Sequence, residues 1–237
     1  MKSQKDGFGY NERLFSGGLR GWFHSARFHW VVQQISKHKC STSSVLELGC
    51  FDGKLMDYLP ALPSRYVGYD ANWEKGLDLA RKKYNSNQFF EFKMAKSAED
   101  IDLVNSDKFD LAVSMDTLEH IDDDDTVQGY LDRISKHLDG YFLITVPNEK
   151  GVIFATKYLT KRILSKDAEN YTLKEFFYAT MGHLDHVSRL QHKGFDYNRL
   201  IKMVEKHFDV VEVSGHPFSF LPPSLCFGVG IVARSKI

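Results

Sequence analysis

The chain has 237 residues, enough for one α/β domain with an appended segment and a substantial buried core. Its 31 lysine and arginine residues balance 31 aspartate and glutamate residues, so the zero net formal charge argues against a polyanionic partner such as nucleic acid. Three widely spaced cysteines, Cys40, Cys50 and Cys226, argue against a disulfide framework or a structural zinc site and favour a reducing compartment.

The first ten residues lack the apolar segment of a signal peptide, and no stretch approaches the roughly twenty apolar residues of a membrane span. We therefore expect a soluble, cytoplasmic protein that does not insert into a membrane.

Aromatic side chains are frequent before the first predicted strand. Trp22, Ala26 and Trp30 follow one another at four-residue spacing, which predicts a helix from about Leu19 to Lys37 with one apolar face. The helix either packs on the sheet edge or covers a ligand pocket, and residues 1–44 are interpreted as an N-terminal helical cap. The polar side chains that could reach a ligand from this cap are Tyr10, Arg13, Arg20 and His24.

Residues 45–72 predict a strand, a glycine turn, a helix and a second strand. The apolar run Val45–Leu48 reads as a short buried strand, and the glycines at 49 and 53 let the backbone approach a ligand closely. The second strand, Tyr66–Asp70, ends in a carboxylate about twenty residues after the first. In βαβ geometry that position lies beside the ribose hydroxyls of a bound nucleoside.

Strand and helix patterns then alternate. The predicted elements are a helix at Trp73–Tyr84, a strand at Phe89–Phe92 within residues 88–94, a buried strand at Phe109–Met115, a helix at Val127–Leu138 and a strand at Tyr141–Val146. Residues 116–121 follow the fourth strand, at the edge where open α/β sheets bind ligands.

The pattern loosens over residues 149–194, which contain many histidines and are interpreted as an inserted substrate-side lid. A helix from Tyr197 to Phe208 and two closing strands, Val210–Val213 and Phe227–Ala233, complete the chain.

The segment Glu47–Gly53 resembles the E/D-x-G-x-x-x-G signature of class I S-adenosylmethionine (SAM) dependent methyltransferases. Phe51 stands where this family most often has glycine, and where a dinucleotide-binding GxGxxG would require one. A dehydrogenase is therefore disfavoured, whereas a plain βαβ turn without a cofactor remains an alternative.

The resemblance implies an α/β, Rossmann-like fold: a seven-stranded, mostly parallel sheet with an antiparallel last strand, helices on both faces, the N-terminal cap and the inserted lid. Residues 45–148 would form the SAM-binding core, and residues 195–237 would complete the same sheet, so that the chain is a single domain overall.

The resemblance also implies cofactor-binding residues. Glu47, Gly49, Cys50, Phe51, Asp52 and Gly53 would surround the methionyl part, Asp70 would bind the ribose hydroxyls, Ala71, Asn72, Ser97 and Ala98 would contact the adenine, and Met115 and Asp116 would line the opposite wall. Ser97 also suits a helix N-cap, with Glu99 and Asp100 in the first turn.

The acceptor side is less defined. Glu119-His120 is similar to a pair found in many small-molecule methyltransferases, including the ubiquinone-biosynthesis O-methyltransferase type, and His120 suits a general base because its ordinary pKa is near neutrality. Alternatively, His120 only anchors its loop. His186 is the second candidate base.

A metal site is a further possibility. Asp116, Glu119 and His120, with the later His183–His186 segment, partly resemble the E-x-x-E-H and D-H pairs of small-RNA 2′-O-methyltransferases. Such a set could hold Mg²⁺ or Mn²⁺. The alternative is a group of lid histidines that are hydrogen-bonded or exposed.

The preferred interpretation is a SAM-dependent methyltransferase that forms S-adenosylhomocysteine and methylates a small-molecule acceptor, on a hydroxyl. One alternative is RNA ribose 2′-O-methylation, which would use a basic patch of Lys157, Lys161, Arg162 and Lys166. The other is a non-catalytic SAM-binding module.

Overall fold

The computed structural model describes residues 18–164, 170–190 and 192–236. Its seven strands are β1 (Ser44–Leu48), β2 (Arg65–Asp70), β3 (Phe90–Met94), β4 (Phe109–Met115), β5 (Leu138–Pro147), β6 (Phe208–His216) and β7 (Gly228–Ser235). They form one sheet in the order β3-β2-β1-β4-β5-β7-β6. Strands β1 to β5 pair in parallel, whereas β7 runs antiparallel to both β5 and β6. The predicted Rossmann-like sheet is confirmed.

Helices cover both faces of this sheet. In the described part of the chain they are α1 (Gly18–His38), α2 (Gly76–Lys83), α3 (Asp124–His137), α4 (Gly151–Leu164), α5 (Leu173–Met181) and α6 (Tyr197–His207). One apolar cluster joins α3 and α6 to the sheet, and a second joins α1 and α2 to the opposite face. None of these helices combines the length and apolarity needed to cross a bilayer.

The predicted helix between β1 and β2 is wrong. The chain forms only a 3₁₀ turn there, Lys54–Asp57, before an irregular segment leads into β2. Pro60 and Pro63 lie in that segment, and each removes a backbone N–H donor and disfavours the helical conformation of the preceding residue. The connection is consequently short, and it leaves the carboxyl end of β1 open.

Helix α1 is anchored on β6 and β7. The Trp30 ring is buried, and its Nε1 donates a hydrogen bond to the Ser214 hydroxyl at 3.0 Å. Gly230 makes room for this ring, because a Cβ there would lie 2.2 Å from it. The helix thus packs on the sheet, while its first half reaches the ligand-binding edge through His24 and Arg27. Tyr10 and Arg13 lie outside the described residues, as does the side chain of Arg20.

Residues 149–194 contain a small apolar core of their own. Helices α4 and α5 pack together over a cluster formed by Phe154, Tyr158, Tyr171, Ala179, Leu184 and Val187. Helix α5 begins with a capping box, in which the Thr172 hydroxyl accepts from the backbone N–H of Glu175 and the Glu175 carboxylate accepts from that of Thr172. The described part of this segment therefore contains helices and a core of its own, and its role as a lid stays a prediction.

Candidate active site

A cavity of about 750 Å³ lies at the carboxyl ends of β1 to β5. This is the edge at which open α/β sheets bind ligands, and the volume falls within the roughly 300–1,000 Å³ typical of cofactor and substrate sites. Residues after each of the five strands contribute to its walls, and the first half of α1 closes one side.

Gly49 brings the turn after β1 against the loop after β4. Its φ of +81° lies in the left-handed region, and a Cβ there would fall 1.9 Å from the Thr117 hydroxyl oxygen. Only glycine can adopt this left-handed φ and approach Thr117 this closely without a rearrangement of the turn. Phe51, the departure from the family pattern, lays its ring over Gly76 at the start of α2, where a Cβ would lie 2.4 Å from the ring.

Asp70 ends β2 with its carboxylate directed at this turn. One oxygen accepts the backbone N–H of Phe51 at 3.1 Å, and the other accepts that of Asn72 at 2.7 Å. Burial raises the pKa of Asp70, although these backbone hydrogen bonds oppose the shift. The backbone N–H of Trp73 also donates to this carboxylate. A carboxylate has about four acceptor positions, so the group can still accept a hydrogen bond from a ligand hydroxyl.

Glu47 is a buried carboxyl at the floor of the cavity. The Tyr66 hydroxyl donates a short hydrogen bond to it, and its side chain is almost fully shielded from solvent. Burial raises its pKa to about 8, opposed by the Tyr66 hydrogen bond and assisted by the nearby carboxylates of Asp52 and Asp70. Glu47 is therefore mostly protonated and uncharged at neutral pH.

Asp116 lies in the wall after β4, with a left-handed φ of +49°. Arg27 of α1 makes a 2.6 Å ion pair with its carboxylate, and the Thr145 hydroxyl donates to it at 3.2 Å. Burial alone would raise the pKa of Asp116, but the charges of Arg27 and His216, with the hydrogen bonds from Arg27 and Thr145, outweigh that effect and hold the pKa below its ordinary value. Asp116 is thus a partly buried anion paired with the N-terminal helix.

Glu119, His120 and His192 form a cluster on the acceptor side. The Glu119 carboxylate is fully buried, and within the described residues neither of its oxygens has a hydrogen-bond partner. Its Oε1 lies 3.9 Å from His120 Nε2 and 4.0 Å from His192 Nδ1, and the two rings meet edge to face with centroids 4.3 Å apart.

The protonation states in this cluster follow from burial and neighbouring charge. Burial, with the nearby charge of Asp116, raises the pKa of Glu119 well above its ordinary value. Burial lowers the pKa of His120, and its neighbour His192 lowers it further. Because the pKa of His120 lies below its ordinary value, its imidazole is neutral at neutral pH, and the raised pKa of Glu119 favours the protonated form of its carboxyl group.

Eleven of the sixteen residues proposed for the site from sequence line the cavity: Glu47, Gly49, Cys50, Phe51, Asp52, Asp70, Ala71, Met115, Asp116, Glu119 and His120. The other five, Gly53, Asn72, Ser97, Ala98 and His186, do not. After β3 the wall is formed by Ala95 and Lys96 instead.

Ser97 and His186 have other surroundings. The Asp100 carboxylate accepts the backbone N–H groups of Lys96 and Ser97 at 2.7 and 3.0 Å, as expected for the N-terminus of the short helix proposed there. The His186 ring packs on Tyr178 with centroids 4.5 Å apart, beside Asp185 at 3.3 Å.

Sequence reasoning did not single out Arg27, Thr117 or His192. Arg27 lies one helical turn after His24, which the sequence predicts could reach a ligand. Because the two side chains share a helix face, the same pattern could have indicated Arg27. His192 belongs to the histidine-rich segment, but its spacing did not distinguish it from His183 and His186.

One lysine of the basic patch considered for RNA binding is already paired with groups of the protein itself. Lys157 makes a 2.7 Å ion pair with Glu149 and donates to the Asn148 carbonyl at 3.0 Å. Lys166 lies outside the described residues.

Comparison with known proteins identifies the family. The sequence profile of the methyltransferase domain matches residues 24–204, which includes every strand of the parallel core and the Glu119–His192 cluster. The chain belongs to the methyltransferase-domain family. A similar curated protein is the ubiquinone biosynthesis O-methyltransferase of Thiobacillus denitrificans, 26% identical over 190 residues that cover 77% of this chain and 79% of the relative.

Solved methyltransferase structures have the same fold. A SAM-dependent methyltransferase from Clostridium acetobutylicum aligns with a TM-score of 0.64 and 13% identity, covering 96% of each chain. The N-methyltransferase NodS from Bradyrhizobium japonicum, in complex with S-adenosylhomocysteine, aligns with a TM-score of 0.56 and 14% identity over 96% of this chain and 97% of NodS.

The protein is thus a class I methyltransferase that uses SAM. Its cavity fits the cofactor: Asp70 offers two oxygens to a ribose diol, and the glycine turn after β1 lies beside it. Bound SAM supplies an activated methyl group on a sulfonium ion. The residues of this chain then have to align an acceptor with that methyl group and accept any proton that is released.

Proposed function

We propose that this methyltransferase methylates a hydroxyl group of a small-molecule acceptor and that His120 is the general base. The observation that carries the proposal is the position of a neutral imidazole on the cavity wall after β4. Burial keeps the pKa of His120 below its ordinary value, so the ring can accept a proton at neutral pH. The name of the T. denitrificans relative, an O-methyltransferase, is consistent with this choice.

His120 would take the hydroxyl proton as the acceptor oxygen forms a bond with the methyl carbon. The carbon–sulfur bond breaks at the same time, and its electron pair stays on sulfur, which becomes a neutral thioether. Glu119 and His192 would hold the His120 ring in place from two sides. The Arg27–Asp116 ion pair would fix the loop that carries His120 relative to α1.

The test is an alanine substitution at each of the two candidate bases. His120→Ala should lower the rate of S-adenosylhomocysteine formation by about 10²–10⁴-fold with an active phenol, catechol or sugar found by screening, while SAM affinity measured by calorimetry stays within twofold. His186→Ala is the matched control, because that ring lies on the lid surface and does not line the cavity. Wild-type turnover in His120→Ala would exclude His120 as the base.

The pH dependence of the same reaction is a second readout. Because burial lowers the pKa of His120, protonation should inactivate the base only below its ordinary pKa of about 6.5. The acid limb of the kcat/KM profile should therefore lie below pH 6.5. A limb above that value would contradict the assignment.

A metal-assisted version of the reaction is the second candidate. Glu119, His120 and His192 can each direct one ligand atom to a common point, since these atoms lie within 4.8 Å of one another. The observation that favours a cation here is that the buried carboxylate oxygens of Glu119 have no hydrogen-bond partner within the described residues. A divalent cation there would lower the pKa of a bound hydroxyl and would keep Glu119 ionised.

Calorimetric titration with Mg²⁺ and Mn²⁺ distinguishes the two versions. If a metal takes part, Mg²⁺ or Mn²⁺ should bind saturably to the wild type, and Glu119→Gln should abolish that binding. EDTA should also remove the activity, and added metal should restore it. Unchanged activity in EDTA and no heat of binding would leave His120 acting alone.

The cytoplasm is the compartment that we propose for this activity. Cys40, Cys50 and Cys226 are all free thiols, and Cys50 and Cys226 are buried. Free thiols are typical of reducing compartments. Fractionation of cells that express the native protein would test this location.

A further inference from the structure

Arg189 joins two loops on the acceptor side of the cavity. Its Nη1 makes a 2.8 Å ion pair with Asp124 at the start of α3, and its Nη2 donates a hydrogen bond to the Ile121 carbonyl at 2.7 Å. Ile121 directly follows His120 in the chain, so this hydrogen bond fixes the backbone beside the proposed base. A guanidinium suits this task because its planar fork presents donors to two acceptors at once.

Arg189 belongs to the same short loop as His192. Residues 188–190 and 192–194 are here called the His192 loop. The backbone groups of Leu190 and Lys193 pair as an antiparallel bridge, with an N–H to carbonyl distance of 3.1 Å in both directions. His192 lies within this turn, and its ring meets the His120 ring edge to face with centroids 4.3 Å apart. The loop therefore reaches the segment around residue 120 twice, once through Arg189 and once through His192.

The other side of the His192 loop is fixed to α5. The Glu175 carboxylate pairs with Lys193 at 2.9 Å and accepts the backbone N–H and the hydroxyl of Ser188 at 3.2 and 2.7 Å. The hydrogen bonds from Lys193 and Ser188 hold the pKa of Glu175 well below its ordinary value, so this carboxylate is ionised at neutral pH. Lys193 also donates to the Asn170 carbonyl at 2.9 Å.

Gly194 closes the His192 loop on itself. Its φ of +72° lies in the left-handed region, and a Cβ there would fall 3.0 Å from the Ser188 carbonyl oxygen. Glycine accepts both the conformation and the close approach. The two ends of the loop therefore touch, and a displacement of one end moves the other.

We propose that Arg189 is a positioning residue, which holds the His192 ring against His120 and so couples residues 149–194 to the acceptor side of the site. A loop anchored on α5 alone would be free to pivot about Glu175. The second anchor, at the Ile121 carbonyl, sets the distance between the loop and residue 120. Arg189 itself does not line the cavity. The expected effect on turnover rests on the proposed role of His120, whereas the effect on the ring contact does not.

Arg199 separates this role from simple stabilisation of α3. It pairs with the other oxygen of the same Asp124 carboxylate, but it belongs to α6 and not to the His192 loop. Its side chain is 58% exposed, compared with 17% for Arg189. Because Asp124 keeps one arginine partner in either variant, Arg189→Met and Arg199→Met are a matched pair.

Nuclear magnetic resonance of the histidine rings in the full-length protein tests the geometry directly. The wild type should show a nuclear Overhauser effect between the ring protons of His120 and His192, with the resonances assigned by substituting each histidine with glutamine. Arg189→Met should abolish this effect, since the loop loses the anchor beside residue 120. Arg199→Met should retain it.

Steady-state kinetics with an active acceptor tests the consequence. Arg189→Met should lower kcat by about 10–10²-fold, because the base is misplaced, and should leave the KM for SAM within about twofold. In a His192→Ala background the same substitution should have little further effect, since Arg189 acts through His192. Arg199→Met should keep the wild-type kcat.

Calorimetric SAM binding shows that each variant folds. If Arg189→Met does not bind SAM, Glu175→Gln replaces it, because that variant weakens the other anchor of the loop and should also weaken the ring contact. An unchanged Overhauser effect in the variant that folds would overturn the proposal, as would an equal loss in Arg199→Met or a full further loss of kcat in the His192→Ala background. Wild-type turnover in His120→Ala would instead refute the proposed base and leave the Overhauser results unaffected.

Discussion

At the scale of single residues, Asp70 has a structural role in the wall of the cavity, and we propose that it also binds the cofactor. Its two oxygens tie the turn after β1 to the end of β2, and the same oxygens face the cavity. Removing the carboxylate therefore alters the turn that surrounds the cavity and, under the proposed role, a contact with the cofactor.

Asp70→Ala should weaken SAM binding by roughly 1–3 kcal/mol, because charge-assisted hydrogen bonds to the ribose are lost. Isothermal titration calorimetry measures the effect. Asp78→Ala, an exposed carboxylate on α2, is the control and should bind SAM normally. Unchanged affinity in Asp70→Ala would refute the ribose assignment.

Glu47 makes the stability of the protein depend on pH. Its folded-state pKa of about 8 exceeds the ordinary 4.5, so between these values the folded chain holds a proton that the unfolded chain has released. The resulting stabilisation is fully present below pH 4.5 and is lost as pH rises towards 8. The fall is on the order of a few kcal/mol over the whole window.

Glu47→Gln should remove this part of the pH dependence, since an amide cannot ionise and its oxygen can still accept from Tyr66. Urea unfolding of the cofactor-free protein at pH 5, 6.5 and 8 gives the free energy of unfolding at each pH. The slope of this free energy against pH is then compared between the variant and the wild type. Glu205→Gln, an exposed glutamate on α6, is the control and should keep the wild-type slope. Identical slopes in Glu47→Gln and wild type would show that Glu47 is ionised in the folded state.

At the scale of secondary-structure elements, the contact between α1 and β7 depends on one glycine and one tryptophan. Trp30 fills the space that a side chain at position 230 would take. The N-terminal helix therefore has a fixed position on the sheet, and this position brings Arg27 within 2.6 Å of Asp116.

Gly230→Ala should lower the free energy of unfolding by about 1–3 kcal/mol, because the new methyl group collides with a packed ring. Adding Trp30→Leu to that variant should recover part of the loss, with a coupling energy of about 0.5–3 kcal/mol in a double-mutant cycle. Chemical denaturation of the four proteins measures it. Strict additivity would mean that the two residues do not share this space.

The elements also show where sequence patterns are reliable. Strand β4 begins and ends where its apolar run predicted, because a strand buried on both faces is apolar throughout. The segment after β1 has a helix-like composition, yet Pro60 and Pro63 prevent a helix in the space available. Residues 151–164 form a helix that periodicity did not reveal, because apolar side chains occupy both its buried and its exposed sides.

At the scale of the whole molecule, cofactor binding should be visible as global stabilisation. A ligand that binds only the folded state stabilises it by about 2.7 kcal/mol at one hundred times its dissociation constant. S-adenosylhomocysteine should raise the melting temperature in a concentration-dependent way, and NADH should not. Asp70→Ala should need a higher concentration for the same shift. A shift with NADH alone would contradict the SAM pocket.

The sequence by itself determined the parallel core, the glycine turn, and the presence of Asp70 and His120 at the ligand-binding edge. These features follow from local patterns, since each residue lies within a few positions of a buried strand whose carboxyl end faces that edge. Their placement required no knowledge of how the helices pack.

Only the tertiary structure decided which distant side chains complete the site. Arg27 is 89 positions from Asp116, and His192 comes from a segment in which several histidines have similar local surroundings. Periodicity assigns a side chain to a face of its own helix, but it does not say which other element that face meets. The approach of α1 and of residue 192 to β4 depends on packing across the fold, including the fit of Trp30 over Gly230.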